Sequence, residues 1–358
     1  MNEPKVTALA AARDAPLRHC LRVLEPFLHD DTVTEICINE PHQVWIERDE
    51  GWQSCAVPGT GLEYLRTLTQ LAATYAGRVC DESSPSLSTT LPDGERLQID
   101  LPPMVGPGRV AVTIRKPSQV LMEPAAYDAA GLHDEVPRYS MEHVSAAVLD
   151  AMQGVDRELL ELRAARRYWE FYATLVKHKR NIVIAGAPGS GKTTLLKTLV
   201  RHIPEHERVI TIEDAQEIVL PHANQQHFFF GREVTPSQCL HSCLRHKPDR
   251  ILLGELRDGI AYDYLQSVTS GFPGSLTTIH GGSVGQTFMR LASLVGETPQ
   301  GRAMLTSGNF QAAARAEVHC VIVIAKTREG DAATGDIRSL RRVVEIGYHA
   351  DPRFRDSV

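Results

Sequence analysis

Residues 181–194 read NIVIAGAPGSGKTT, and this stretch decides the fold. Four apolar residues lead into a glycine-rich turn, which is followed by a lysine, two threonines and the helix-forming LLKTLV. From Gly186 the spacing fits G-x-x-x-x-G-K-[ST] at every fixed position. A glycine-rich turn without a ligand is the alternative interpretation, but the apolar run before the motif and the helical pattern after it argue against it. The sequence therefore predicts a strand, a phosphate-binding loop and a helix.

The residue types of this loop suit a nucleoside triphosphate. Glycines at 186, 189 and 191 let the backbone turn tightly, so that successive N–H groups point inward as an anion cradle. The helix that begins at Lys192 adds the positive end of its dipole. The Lys192 ammonium can reach the β- and γ-phosphates, and the Thr193 hydroxyl can ligate Mg²⁺. The predicted binding residues are Gly186, Ala187, Pro188, Gly189, Ser190, Gly191, Lys192, Thr193 and Thr194.

The composition is that of an ordinary globular protein with room for two domains: 358 residues, 42% hydrophobic and 23% charged. A net charge of −6 gives no support to nucleic-acid binding through bulk charge. No apolar run approaches the roughly 20 residues of a membrane span, and the first residues are too polar for a signal peptide. We expect a cytosolic protein, and docking onto a membrane complex is compatible with this expectation.

The seven cysteines indicate a reducing compartment, because their number is odd and none forms a CxxC pair. One cluster could suggest zinc, since Cys239, His241, Cys243 and His246 lie within eight residues. A metal site needs ligands that converge on one side, whereas helical spacing directs His241 away from the face of the two cysteines. The pattern therefore favours a helix without metal.

Residues 1–116 predict a smaller α+β domain. A helical pattern in PLRHCLRVLEPFL gives way, from Val33, to the two-residue alternation of the short strands VTEICI, QVWIER and WQSCAV. A helix is predicted over GLEYLRTLTQLAATYAG, with Gly77 as its C-terminal stop. Further strands are predicted at SLSTTL, RLQIDL and RVAVTIR.

The rest of the chain predicts an α/β domain with a mostly parallel sheet over residues 162–358. Its predicted strands NIVIAG, RVITIED, RILLGE, SLTTIH and HCVIVIAK alternate with helical stretches, and a hairpin is expected around Gly330-Asp331. Residues 117–161, interrupted by prolines, are interpreted as a linker that includes a helix over EHVSAAVLDAM. A helix around RELLELRAARRYWEFYATLVKHK then leads into the second domain.

Polar residues follow three of these strands, at the edge where an open α/β sheet places its site. The first strand ends at Glu213-Asp214, and a carboxylate there can orient a water molecule beside a γ-phosphate. The second delivers Glu255, and the third delivers His280, whose imidazole can sense the γ-phosphate. Taken singly, Asp214 could be a helix cap, Glu255 a solvated charge and His280 a hydrogen-bonded histidine. Their order after a complete phosphate loop favours a site.

At this point the chain resembles a known family. The stretches GAPGSGKTT, TIEDAQEI, LRHKPDRILLGELRD and GFPGSLTTIHGGS are similar to the Walker A, Asp box, Walker B and His box of secretion ATPases. The resemblance is strongest to the VirB-eleven-type traffic ATPases of type IV secretion systems. It extends into the first domain through CINEPHQVWIE, LPDGERLQIDLPP and VAVTIRKPS.

The resemblance implies a RecA-like P-loop ATPase domain behind a substrate-facing N-terminal domain, assembled as a homo-hexamer that holds ATP between the two domains. It implies Mg²⁺ held by Thr193 and Glu255, and it leaves open which glutamate activates water, with Glu213 preferred. Arg96 and Arg115 match arginines that reach nucleotide phosphates in the family; without the resemblance they would be surface charges on strands. The implied catalytic residues are Lys192, Glu213, Glu255, His280, Arg96 and Arg115.

The same resemblance implies a cytoplasmic protein peripheral to the inner membrane, which powers substrate transfer or pilus biogenesis. The implied partners are a membrane-associated ATPase, a coupling protein and an inner-membrane complex, and nucleic acid is not required. A pilus or type II secretion motor is one alternative. It is weakened because extension-type motors usually carry a tetracysteine zinc module, and this sequence has no CxxC pair. A RecA-like DNA-dependent motor is another, weakened by the acidic net charge. A metabolite kinase would need a base motif of the H-R-D type, which is absent.

Overall fold

The computed structural model describes residues 14–48, 50–117, 121–141, 144, 152, 154–231, 233–330 and 337–355. The chain forms two units, each with its own core. Residues 1–118 and 331–338 make the first unit, and residues 119–330 and 339–358 make the second. Helical segments at 14–21, Arg22–Leu24 and Glu25–Leu28 occupy the region for which the sequence predicts a helical entry.

An antiparallel sheet of six strands builds the first unit, in the order β3-β2-β1-β6-β5-β4. Every strand lies where the two-residue alternation predicts one. The helix α1 spans Leu62–Tyr75 and is followed by Gly77, which has the left-handed φ of +64° expected of a helix stop. The strands are β1 (Glu35–Glu40), β2 (Gln43–Arg48), β3 (Gly51–Ala56), β4 (Ser86–Thr90), β5 (Arg96–Asp100) and β6 (Ala111–Arg115).

One face of this sheet is apolar because side chains alternate along each strand. Ile36 and Ile38 of β1 are fully buried, as are Ile99 of β5 and Ile114 of β6. Leu65, on α1, packs in the same cluster. The side chains that alternate with them are mostly polar and less buried, so this unit has its core on one face of the sheet.

The second unit contains a sheet of seven strands in the order β13-β12-β7-β11-β10-β8-β9. The pairs from β12 to β9 are all parallel. The prediction of an α/β fold with a mostly parallel sheet is therefore confirmed. The strands are β7 (Ile182–Gly186), β8 (Val209–Glu213), β9 (Gln225–Phe229), β10 (Arg250–Leu253), β11 (Leu276–Ile279), β12 (Cys320–Gly330) and β13 (Ile337–Tyr348).

Helices cover both faces of this sheet, and each face has its own apolar cluster. The central strands β7, β8, β10 and β11 are buried at every residue, as expected of strands covered on both sides. The helices are α2 (Pro124–Ala129), α3 (Gly154–Ala164), α4 (Tyr168–Lys177), α5 (Lys192–Val200), α6 (Pro236–Cys243), α7 (Ile260–Thr269), α8 (Val284–Val295), α9 (Pro299–Thr306), α10 (Asn309–Glu317) and α11 (Pro352–Arg355).

Residues 117–161 differ from a free linker in the part that the structure describes. Tyr127, Leu132, Val136 and Tyr139 are buried in the core cluster that also contains helix α5. These aromatic and aliphatic side chains remove apolar surface from water, which a solvated linker would not do. The predicted helix over EHVSAAVLDAM lies almost entirely outside the described residues, as does the expected turn at Gly330-Asp331.

The sequence also predicts one helix where the structure has two, and it misses a strand. The helices α3 and α4 are separated at Arg166, whose φ of +57° is left-handed. The missed strand is β9, with the sequence QQHFF, which lacks a two-residue alternation. It lies at the edge of the sheet and is mostly exposed, so no apolar periodicity marks it.

A cluster of ionisable groups lies at the start of β12. His319 accepts the backbone N–H of Asn181 at Nδ1, 3.0 Å away, and its ring meets that of His349 edge-on at 4.9 Å. Burial, together with the positive charges of His349 and Arg180, lowers the pKa of His319 to about 3. The folded state therefore favours the neutral imidazole, which keeps Nδ1 available as an acceptor.

We expect this histidine to make the protein less stable in mild acid. Between pH 6.5 and pH 3 the unfolded chain binds a proton at His319 that the folded chain does not. The resulting stability is fully present above pH 6.5, and it falls by up to about 1.4 kcal/mol per pH unit as the pH drops through this window. The substitution His319→Asn retains an acceptor without a titrating ring. Urea unfolding at pH 7.0 and 5.5 should show a smaller loss in the variant, and equal losses would contradict this account.

Candidate functional site

The phosphate loop connects the central strand β7 to helix α5, as its motif predicts. Gly189 and Gly191 have φ values of +69° and +94°, a region in which residues with a Cβ are strained. Gly186 has a different reason to be glycine, since a Cβ there would lie 2.3 Å from the carbonyl oxygen of Ile324 and 2.4 Å from Oγ of Ser190. The loop therefore keeps its shape because glycines occupy these three positions.

Within the loop, the Ser190 hydroxyl is buried and has no hydrogen-bond partner among the described residues. Buried polar atoms are nearly always paired, so a hydroxyl in this situation indicates a ligand or water molecule that completes the loop. The helix α5 begins directly after Gly191 and directs its first backbone N–H groups to the same place. The loop thus has the chemistry of an anion site.

Lys192 is the buried cation of this site, with 7% of its surface exposed. Its Nζ donates to the carbonyl oxygens of Gly186 and Ala187, each 3.0 Å away. Nζ also lies 3.5 Å from Nδ1 of His280. These carbonyl oxygens are neutral acceptors, from which the ammonium can turn to an anion that enters the loop.

His280 connects this lysine to the next strand end. Its Nε2 lies 3.0 Å from Oε1 of Glu255, while its Nδ1 faces Lys192. Nδ1 also lies 3.3 Å from the carbonyl oxygen of Gly186, so one ring nitrogen faces the loop and the other faces the carboxylate. The structure thus brings together Lys192, His280 and Glu255, the residues that three separate motifs single out.

Arg257 is part of this network, although no sequence motif assigns it a role. Its Nε forms an ion pair with Oε2 of Glu255 at 2.8 Å, and Nη2 donates to Oδ2 of Asp214 at 2.9 Å. Burial alone would lower the pKa of Arg257, but the carboxylates of Asp214 and Glu255 outweigh it and raise the pKa. The residue follows Glu255 by two positions in GELRD, and this proximity was the one available signal.

Glu213 is held by backbone N–H groups, whereas Glu255 is held by side chains. Oε1 of Glu213 accepts the backbone N–H groups of Glu217 and Ile218, each 2.9 Å away, and 3% of the residue is exposed. Its Oε2 has no hydrogen bond among the described residues and lies 3.8 Å from Nδ1 of His227. A Cβ on Gly254 would lie 3.3 Å from Cγ of Glu213, so that glycine leaves room for the glutamate. One oxygen is therefore fixed and the other remains available to a water molecule.

Arg96 and Arg115 lie in the first unit, where they face each other directly across strands β5 and β6. Arg115 also pairs in register with Glu35 of β1, and its Nε lies 3.9 Å from Oε1 of that carboxylate. Burial raises the pKa of Glu35, and the positive charge of Arg115 opposes this rise. The structure therefore places the two predicted arginines side by side.

Oxygen ligands near the loop fit magnesium rather than a softer metal. Thr193 lies in the first turn of α5, and Glu255 supplies a carboxylate after β10, two strands away from β7. Mg²⁺ commonly takes one or two such protein ligands together with phosphate oxygens and water. Among the described residues, no group of three or more histidine, cysteine or acidic side chains could hold a metal. In α6, Cys239 and Cys243 are buried while His241 is exposed, so these three do not converge.

Of the helices that the structure describes, none is long and apolar enough to cross a membrane.

Comparison with known proteins identifies relatives along most of the chain. A family model described as type II/IV secretion system protein matches residues 20–308. The type IV secretion system protein VirB11 of Brucella suis biovar 1 is 41% identical over 302 residues, which cover 82% of this chain and 81% of that protein. The type IV secretion system protein PtlH homolog of Bordetella bronchiseptica is 33% identical over 350 residues, 95% of this chain and 97% of that protein.

Solved structures of ATPases also match this chain over most of its length. The crystal structure of the VirB11 ATPase from the Brucella suis type IV secretion system, in complex with sulphate, matches with 37% identity and a TM-score of 0.50. The match covers 96% of this chain and all of that one. The Legionella pneumophila ATPase DotB matches with a TM-score of 0.55 and 18% identity, covering 95% of this chain and 83% of that one, which supports the fold alone.

These comparisons confirm the resemblance that the four sequence motifs indicate. The family model spans most of the chain, and relatives above 30% identity cover 82% and 95% of it. This chain therefore belongs to the type II/IV secretion system protein family.

Proposed function

We propose that the protein is the ATPase of a type IV secretion system and that it couples ATP hydrolysis to movement of its N-terminal domain. The observation that carries the proposal is the continuous contact from Lys192 through His280 to Glu255 beside a complete phosphate loop. The relatives named VirB11 and PtlH support the assignment to a type IV system rather than to a type II or pilus motor. The Brucella suis structure, which is named as an ATPase and is 37% identical, supports hydrolysis.

In the binding step, the phosphates of ATP enter the phosphate loop. Backbone N–H groups of residues 186–194 hold the α- and β-phosphates, and Lys192 turns from the Gly186 and Ala187 carbonyls to the β- and γ-phosphates. Thr193 and Glu255 would hold Mg²⁺, which would supply positive charge to the phosphate oxygens. His280 faces Lys192 and therefore responds when this lysine moves.

For the chemical step we assign Glu213 to the attacking water. Its Oε1 is fixed by two backbone N–H groups, and Oε2 is free to accept a hydrogen from water. The water oxygen attacks the γ-phosphorus, Glu213 takes the proton, and the bond to the β-phosphate oxygen of ADP breaks. Both oxygens of Glu255 already have partners, His280 and Arg257. This suits a residue that would bind Mg²⁺ rather than activate the water molecule.

The assembly and partners follow from the family. We propose a homo-hexamer that lies at the cytoplasmic face of the inner membrane and contacts a membrane-associated ATPase, a coupling protein and inner-membrane components. Arg96 and Arg115 contact the nucleotide from the N-terminal domain, of the same or a neighbouring protomer. Their forks suit phosphate oxygens, and loss of the γ-phosphate would release that domain. Strong stimulation of hydrolysis by single-stranded DNA would favour a DNA-dependent motor instead.

Lys192→Ala should abolish ATP hydrolysis, because the phosphates lose their main buried counter-ion. Turnover is measured by phosphate release with purified protein and Mg-ATP. Lys177→Ala, which removes an exposed lysine at the end of α4, is the matched control and should retain wild-type turnover. Appreciable hydrolysis by the Lys192 variant would contradict the proposed function.

Arg257→Gln should lower kcat by roughly 10-fold or more while KM changes little, since the two ionic contacts that orient Glu255 and Asp214 are lost. Arg257→Lys retains the charge but not the fork, so its kcat should lie between those of the wild type and the Gln variant. Steady-state kinetics on all three proteins check this. A variant with wild-type kcat would show that Arg257 does not position Glu255.

Arg115→Ala should reduce ATP turnover with a smaller effect on nucleotide affinity, because this arginine is assigned to the γ-phosphate. Arg109→Ala serves as control, since Arg109 is an exposed arginine of the same unit that pairs with Glu40 at 2.8 Å. Turnover and the affinity for ADP are measured on both variants, and light scattering with Mg-ATP reports the assembly. Wild-type turnover in the Arg115 variant would remove that residue from the site.

A further inference from the structure

The guanidinium group of Arg341 lies beside the phosphate loop, and the proposed mechanism does not use it. Arg341 belongs to the edge strand β13. A Cβ built on Gly191 would lie 3.0 Å from Cδ of Arg341 and 3.6 Å from its Nε. The side chain of Arg341 therefore passes directly over the last glycine of the loop.

The backbone that carries Arg341 is anchored on the side of helix α2. The neighbouring Arg342 is buried and donates through Nη1 to the carbonyl oxygen of Ala130. The N–H of Val343 donates to the carbonyl oxygen of Leu132 at 2.7 Å, and Val343 is fully buried. Two adjacent residues thus fix the strand, so the position of Arg341 over the loop follows from the packing of β13.

Arg341 and His280 belong to opposite sides of β7, because β13 lies beyond β12 on one side and β11 lies on the other. The charge of Arg341 opposes the rise that burial causes in the pKa of Tyr127, which places the guanidinium within electrostatic reach of α2. Lys192, by contrast, contacts His280. Because the loop backbone holds the α- and β-phosphates while Lys192 reaches toward the γ-phosphate, a cation above Gly191 adjoins the α/β end of the nucleotide.

We propose that Arg341 binds the α- or β-phosphate and so contributes affinity that ADP and ATP share. Such an interaction is equal in the ground and transition states, so it lowers KM without raising kcat. The role would distinguish Arg341 from Arg115 and His280, which are assigned to the γ-phosphate. Arg341 lies beyond residue 308, where the match to the family model ends. The inference rests on the proposed binding of nucleotide by the phosphate loop.

The test is direct binding of ADP and of a non-hydrolysable ATP analogue, measured by isothermal titration calorimetry on the full chain. Arg341→Ala should weaken both ligands by a similar factor of roughly 10 to 100, the range for a hydrogen bond to a charged group. KM for ATP should rise correspondingly, with kcat within about twofold of wild type. Arg290→Ala, at an exposed arginine of α8, is the matched control and should bind both ligands normally.

A second variant separates lost charge from lost packing. Arg341→Met retains an apolar stem over Gly191 and lacks the guanidinium, so it should bind ADP as weakly as the Ala variant while its melting temperature stays close to that of the wild type. Wild-type ADP affinity in the Met variant would overturn the inference, and so would a loss confined to the ATP analogue. Failure of the wild type to bind either ligand would instead contradict the proposed function.

Discussion

The site depends on how closely strand β12 approaches the phosphate loop. At Gly186 there is no space for even one methyl group between the loop, the Ile324 carbonyl and the Ser190 hydroxyl. This contact sets the point at which β7 ends and the loop begins to turn. Because β7 lies between β12 and β11, the turn also fixes the distance from the loop to His280, which follows β11. The positions of the loop and of His280 are thus a consequence of backbone packing.

Electrostatics then link strand ends that are not adjacent in sequence. The chain of contacts runs from Lys192 through the His280 ring to Glu255, Arg257 and Asp214, and the lysine, the arginine and the two carboxylates alternate in sign along it. Each partly buried charge has a partner, which keeps the desolvation penalty acceptable. Under the proposed function, this network would transmit the presence of the terminal phosphate across the ends of four strands, β7, β11, β10 and β8.

Much of this could be predicted from the sequence because strong local patterns mark it. The central strands are short, largely apolar runs, the first-domain strands alternate with a period of two, and the loop motif has fixed spacing. Glu213, Glu255 and His280 could be singled out because each ends such a strand or follows one. Their shared location is a property of parallel sheets in general.

The parts that could not be predicted depend on contacts between distant segments. Arg257 and Arg341 gain their significance from neighbours such as Asp214 and Gly191, which no local pattern reveals. The exposed strand β9 has no apolar period, and the burial of Tyr127 makes part of an apparent linker belong to a core. In these cases tertiary packing decides the outcome, and local sequence preference does not.

The paired arginines of the first unit have a thermodynamic consequence. Like charges lie opposite each other on neighbouring strands, and Glu35 on β1 lies in register with one of them. An anion bound by both guanidinium groups would contact β5 and β6 at once. Occupancy and the cohesion of these strands would then rise together. In that case the arginine pair would couple the rigidity of an antiparallel sheet to the presence of its ligand.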